Sequence, residues 1–211
     1  MSTPETPRST YRHGDLRQAL LDAGVEMART GGPDAVILRE ATRRAGVSPN
    51  AAYRHFADRE ALVRAVSDAA QGFAADRMAT ALAAIEAAGD AASDARLRLR
   101  AVGSGYLRFA QEEPGLFRTA FSVPTDLDEA TSISKRGVAG RTPFETLGGV
   151  LDELAAAGVL PAERRQGAEL LAWSSVHGLG MLIIDGPLRG LDDRTIAFAT
   201  ERLLDLVDRG I

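Results

Sequence analysis

ILREATRRAGVSPNAAYRHFADREAL, from Ile37 to Leu62, is the stretch that decides the fold. Leu38, Ala41, Thr42 and Ala45 recur at helical spacing on one face, while Arg39, Arg43 and Arg44 fall on the others. Gly46 stands where the chain must turn back sharply, and a residue without Cβ can take the left-handed conformation that ends a helix. Val47 fills the angle that follows. Ser48 suits an N-cap and Pro49 the first helical position, because the N–H that proline lacks would have had no partner there. The second helix is short, Pro49 to His55, with Ala52 and Phe56 facing inward and Asn50, Ala51, Tyr53 and Arg54 outward. Asp58 is placed to cap a third helix, whose apolar stripe runs through Leu62, Val66 and Ala69. Two short helices held at an angle by a glycine turn make a helix-turn-helix.

The residues on that second helix are ordered for a DNA groove. Small and amide side chains lead, and aromatic and basic ones follow; a recognition helix reads base edges with its first residues and grips phosphates from its flanks. The candidate DNA contacts are Arg39, Ser48, Pro49, Asn50, Ala51, Tyr53, Arg54, His55 and Arg59. Arg39 and Asn50 carry the hydrogen-bonding readout, and Tyr53 either joins them or grips the backbone. Ala51 offers a bare methyl suited to a thymine methyl. Arg59, in the first turn of the third helix, can reach a phosphate.

Ala45-Gly46-Val47-Ser48, Tyr53-Arg54-His55-Phe56 and Arg59-Glu60-Ala61-Leu62 together resemble the DNA-binding domain of the TetR family of bacterial transcriptional regulators, over about Leu16 to Val66. The resemblance implies a disordered basic arm over 1–12, a helix-turn-helix domain of three helices over 13–60, and a larger helical ligand-binding and dimerisation domain over 61–211. It also implies DNA binding as a homodimer under the control of a small molecule. This chain departs from the family pattern at Ile37, where Ser or Thr usually caps the second helix and touches a phosphate. Ala41 and Thr42 stand where Ile and Ala are usual.

Composition bounds the rest. The chain has 211 residues, a formal net charge of −4, three histidines and no cysteine, so disulfide and thiolate chemistry are excluded. Residues 1–60 hold nine Arg against eight acidic residues, and the remainder is acidic, so the motif sits in the more positive part. The opening MSTPETPRSTYRHG is rich in Pro, Ser and Thr, and its Arg8, Arg12 and His13 could enter a neighbouring minor groove. From Asp15 a long helix carries the stripe Leu16, Leu20, Gly24 and Met27, ending at Gly31-Gly32-Pro33. With no apolar run of about 20 residues and no leader pattern, the expected location is the cytoplasm, with no membrane partner.

Past Leu62 the pattern is all-α, with no alternating runs and with Gly or Pro at the joints. It predicts helices over 58–88, 93–113, 115–121, 141–157, 162–185 and 192–209, and one long polar connection over 122–140 that is mobile and serves as a lid or entrance. On the helix that carries Trp173-Ser174-Ser175-Val176-His177-Gly178, one stripe runs through Trp173, His177 and Met181. A second, of small residues, runs through Ala168, Ala172, Ser175 and Leu179. With Ile196, Ala199, Leu203 and Leu206 of the last helix, that second stripe suits a dimer interface of two helices from each subunit. The segment also resembles a C-terminal subclass of the family marked by Trp, His and Gly at this spacing, with Glu112-Glu113-Pro114-Gly115-Leu116-Phe117 as a second match.

The candidate effector contacts are Phe73, Tyr106, Phe109, Phe117, Phe121, Trp173, His177 and Met181, within a wider apolar set that includes Met78, Leu82, Phe144 and Leu147. Tyr106, Trp173 and His177 stand out because each joins a polar handle to an apolar body. The expected function is a homodimeric repressor that leaves an inverted-repeat operator when a small hydrophobic effector binds. Two alternatives stay open: a constitutive DNA-binding dimer and a helical enzyme. Against the enzyme stand the absence of a Gly-x-Ser-x-Gly elbow and of paired metal ligands, so no catalytic, metal or cofactor residue is expected.

Overall fold

A computed structural model describes residues 13–211, with side chains from Leu16 onward. The expected basic arm, with Arg8, Arg12 and the His13 side chain, lies outside the described residues. Ten α-helices and no strand occur among them: α1 (His13–Gly31), α2 (Leu38–Arg44), α3 (Pro49–Tyr53), α4 (Arg59–Ala83), α5 (Ala91–Glu112), α6 (Pro114–Ala120), α7 (Pro143–Ala156), α8 (Ala162–Arg165), α9 (Ala168–Ile184) and α10 (Asp193–Gly210).

The turn between α2 and α3 and the starts of α3 and α4 are built by local chemistry. Gly46 takes φ +67°, the left-handed turn that ends α2. The Ser48 hydroxyl accepts from the Ala51 N–H at 3.4 Å and starts α3, and Asp58 accepts from the Ala61 N–H at 2.8 Å and starts α4. Thr42, unusual at its place, is buried but donates to the Leu38 carbonyl at 2.7 Å, so its polarity is satisfied. Ala41, Ala52 and Phe56 close the small core against Leu20 and Leu62.

Helix α4, 25 residues long and so about 37 Å, belongs to both halves of the molecule. Its first turns pack on α1, its middle on α6 and its remainder on α5. Helix α6 is locked on both sides. Gly115 lies so close to the end of α1 that a Cβ there would stand 2.3 Å from the Ala28 carbonyl oxygen. Glu113 accepts from Arg29 Nε at 2.9 and 3.2 Å, and the Ala120 carbonyl accepts from Ser67 Oγ at 3.0 Å and Gln71 Nε2 at 2.9 Å. One apolar core therefore runs unbroken from Leu20 to Ile211.

Three expectations are corrected. Helix α4 ends at Ala83, short of residue 88. The helix expected over 162–185 is two, α8 and α9, separated where Gly167 takes φ +80°. The polar connection over 122–140 is packed rather than free: its 3-10 turns Leu127–Thr131 and Ile133–Lys135 lie along α7 and α4, Lys135 is 2% exposed, and the Val138 N–H donates to Asp76 at 2.6 Å. Tertiary contacts outweigh its polar composition.

Candidate DNA-reading face and ligand cavity

Arg39, Ser48, Pro49, Asn50, Tyr53 and Arg54 form one exposed surface across α2 and α3, with Ala51 and His55 half-buried at its base. Charge on this face is selective. Arg43 and Arg44 both bind Glu40, and their hydrogen bonds lower its carboxyl to about 2, which commits both guanidinium groups. Arg39 and Arg54 have no carboxylate within 4.0 Å among the described residues, which leaves their charge for a phosphate or a base. Arg59 departs from expectation. Its Nε donates to the Val36 carbonyl at 2.8 Å and its Nη2 to the Pro33 carbonyl at 2.7 Å, so it chiefly pins the turn before α2 to the start of α4. Ile37 begins α2 with no side-chain cap.

Between α4, α5, α7, α9 and α10 lies a narrow, partly open apolar cavity of about 60 Å³. Of the candidate effector contacts, Tyr106, Phe121 and Trp173 line it, as do Met78, Phe144 and Leu147 of the wider set. The others do not. Phe109 and Phe117 are fully buried core, Phe73 is exposed on α4, and His177 and Met181 stand outside the wall. His177 instead stacks on Phe117 with ring centroids 5.3 Å apart.

His177 acts on the cavity through Tyr106. The Trp173 indole N–H donates to the Tyr106 hydroxyl at 3.1 Å, and that hydroxyl lies 2.9 Å from His177 Nδ1. Because the indole can only donate, the tyrosine proton is free to go to His177, which closes a relay of three side chains. Burial pushes the Tyr106 hydroxyl well above the ordinary phenol range and lowers His177 below the ordinary imidazole value, so both are neutral near pH 7.

Sequence reasoning missed Gln71 and Arg100, which also line the wall. A glutamine in a long helix and an arginine near an apolar stripe read as surface. Only the partners show otherwise: Gln71 is bonded to the Ala120 carbonyl, and Arg100 to Glu201 and Asp205 of α10.

The small stripe of α9 also faces differently. Ala168 and Ala172 are buried within the protomer, Ala172 in the cavity wall. Leu179, Ile196 and Leu203 pack in part on the same core, and Ser175 and Ala199 are half-buried. The open face of α9 consists of Leu171, Ser174, Gly178 and Leu182, beside Phe198 and Leu206 of α10, which are 68% and 66% exposed.

Residues 20–66 match the family described as "Bacterial regulatory proteins, tetR family", and residues 99–207 match "Tetracyclin repressor-like, C-terminal domain". The chain belongs to the TetR family. Members of the family are DNA-binding transcription factors and not enzymes, and this TetR-family regulator is a DNA-binding transcriptional regulator. A search of the curated proteins matched none. Among solved structures, a protein of unknown function from Rhodococcus sp. RHA1 is 26% identical over 94% of this chain and 98% of its own, with a TM-score of 0.69. Two others share the fold. A TetR-family transcriptional regulator from Pectobacterium atrosepticum is 22% identical over 96% and 97% of the two chains, with a TM-score of 0.64. The regulator PfmR from Thermus thermophilus is 20% identical over 91% and 98%, with a TM-score of 0.55. No helix among the described residues is long and apolar enough to cross a membrane.

Proposed function

We propose that this regulator is a homodimeric repressor, acting in the cytoplasm, which leaves an inverted-repeat operator when a small apolar molecule enters the cavity. The observation that carries the reading is α4. The helix begins beside the DNA-reading face, pinned there by Arg59, and further along supplies Gln71 and Met78 to the cavity wall. A ligand that displaces this wall moves the helix that positions α2 and α3. DNA and ligand then oppose each other by linkage, each weakening the other by the same factor.

Dimerisation follows from the length of α3. Five residues read too few base pairs alone, whereas two copies related by a two-fold axis read half-sites about 34–36 Å apart or a multiple of that. The open apolar face of α9 and α10 supports a four-helix interface for this pairing. Arg39 and Asn50 read bases, while Tyr53, Arg54 and His55 hold the backbone. The domain division at about residue 60 places these roles before it and the ligand and dimer surfaces after it.

Fluorescence anisotropy with the upstream intergenic DNA and a scrambled duplex of equal length tests the reading. Selective binding that falls steeply with salt, and that a cavity ligand abolishes, is the expected result. Operator affinity unchanged by saturating ligand would leave a constitutive DNA-binding protein.

A further inference from the structure

The wall of the cavity restricts the chemistry of what can occupy it, and this inference rests on the effector reading above. Four side chains with polar groups line the wall, Gln71, Arg100, Tyr106 and Trp173, and three of them are already committed. The Tyr106 hydroxyl is held between the Trp173 N–H and His177 Nδ1. Arg100, the sole charged side chain of the lining, is bound by the carboxylates of Glu201 and Asp205. An anion would have to compete with those two carboxylates for a guanidinium that they already neutralise. A cation would find no carboxylate in the wall, and placing either charge in an apolar space without a partner is costly.

Gln71 is different. One N–H of its amide goes to the Ala120 carbonyl, and among the described residues no donor takes its Oε1. Gln71 lines the cavity, and its amide keeps one acceptor and one further N–H that no group among the described residues engages.

We propose that the effector is an uncharged, predominantly apolar molecule with one hydrogen-bonding head group, a hydroxyl or a ketone carbonyl, and that Gln71 is the residue that selects this head. The apolar body lies against Met78, Leu99, Phe121, Leu147 and Val176. The Ala120 carbonyl keeps its bond from Ser67 when Gln71 turns to a ligand, so the exchange leaves no buried acceptor orphaned.

Trp173 is the only tryptophan of the chain and lies in the cavity wall, so its intrinsic fluorescence reports occupancy of the protein free of DNA. Purified full-length protein is titrated with 1-hexanol, hexan-2-one, 1-chlorohexane, hexanoate and hexylammonium. The alcohol and ketone are expected to bind at least about ten-fold more tightly than either ion. In Gln71→Met the alcohol should weaken by about three- to ten-fold, the worth of one neutral hydrogen bond, while 1-chlorohexane is unchanged. A matched thermal melt of Gln71→Met and of Gln71→Glu controls for folding. Gln71→Glu should reject the ketone, which cannot donate to a carboxylate. Strongest binding of an ion, or an unchanged ratio of alcohol to 1-chlorohexane in Gln71→Met, overturns the proposal. Binding as expected without any release of DNA would instead overturn effector control and leave the head-group selection standing.

Discussion

Of the two helices in the reading head, α3 starts on a serine cap and α2 on Ile37, which supplies no hydrogen bond and is half-exposed. Replacing Ile37 by Thr gives the first free N–H groups of α2 an acceptor at little cost in apolar burial. Urea denaturation should show a gain of about 0.5–1 kcal/mol, and if the proposed DNA face includes the start of α2, operator binding should tighten as well. A loss of stability would mean that the isoleucine packs more than its exposure indicates. His177 carries a second prediction. Burial lowers its pKa, so the folded protein resists a proton that the unfolded chain accepts from about pH 6.5 downward. Stability is therefore full above that pH and falls as the solution is acidified toward the lowered folded pKa. In His177→Asn the amide oxygen can still accept from Tyr106 but does not titrate. The melting temperature of the parent should drop between about pH 7.5 and 5.5 by more than that of the variant; equal drops would place the titration elsewhere.

At the scale of elements, α6 is the clamp between the DNA-reading half and the cavity half. Its first turn sits against the end of α1, its last carbonyl is held by α4, and Arg118 binds Asp185 beyond the end of α9 at 2.7 and 2.8 Å. Gly115→Ala forces a methyl into the Ala28 carbonyl and must lift α6 away. A loss of roughly 1–3 kcal/mol in denaturation is expected, and an effect near zero would show that the two helices separate freely. The elements also show what pattern reading can and cannot reach. Ser48-Pro49, Asp58 and Gly46 were legible because capping and left-handed turns depend on neighbours in sequence. The inward and outward faces of α9 were not, because Leu170, Leu171, Leu179 and Leu182 give it apolar residues on every side and no single stripe stands out.

At the scale of the whole molecule, the open face of α9 and α10 is the surface on which the proposed homodimer rests. Leu182 and Phe198 are 43% and 68% exposed in the protomer, so charging them leaves its core intact. Leu182→Glu with Phe198→Glu should sediment as a folded monomer, with a melt that no longer depends on protein concentration. Operator binding should weaken by about ten-fold or more, because the second half-site is no longer tethered to the first. A variant that stays dimeric would place the interface on another surface. The core from Leu20 to Ile211 is unbroken, so the proposed effector response would have no slack region in which a displaced cavity wall could be absorbed.

What the sequence determined by itself was the class of molecule: helices throughout, a glycine turn between two short ones, and Arg39, Asn50, Tyr53 and Arg54 on the outside of them. All of that depends on residues within a few positions of one another, where spacing and capping chemistry act directly. Tertiary structure alone decided that Arg59 holds the carbonyls of Val36 and Pro33, that Ala168 and Ala172 face their own core, and that Gln71 stands in a cavity wall with an acceptor to offer. Their partners lie across the fold, and side chains of the same type take opposite roles according to which neighbour packing brings within reach.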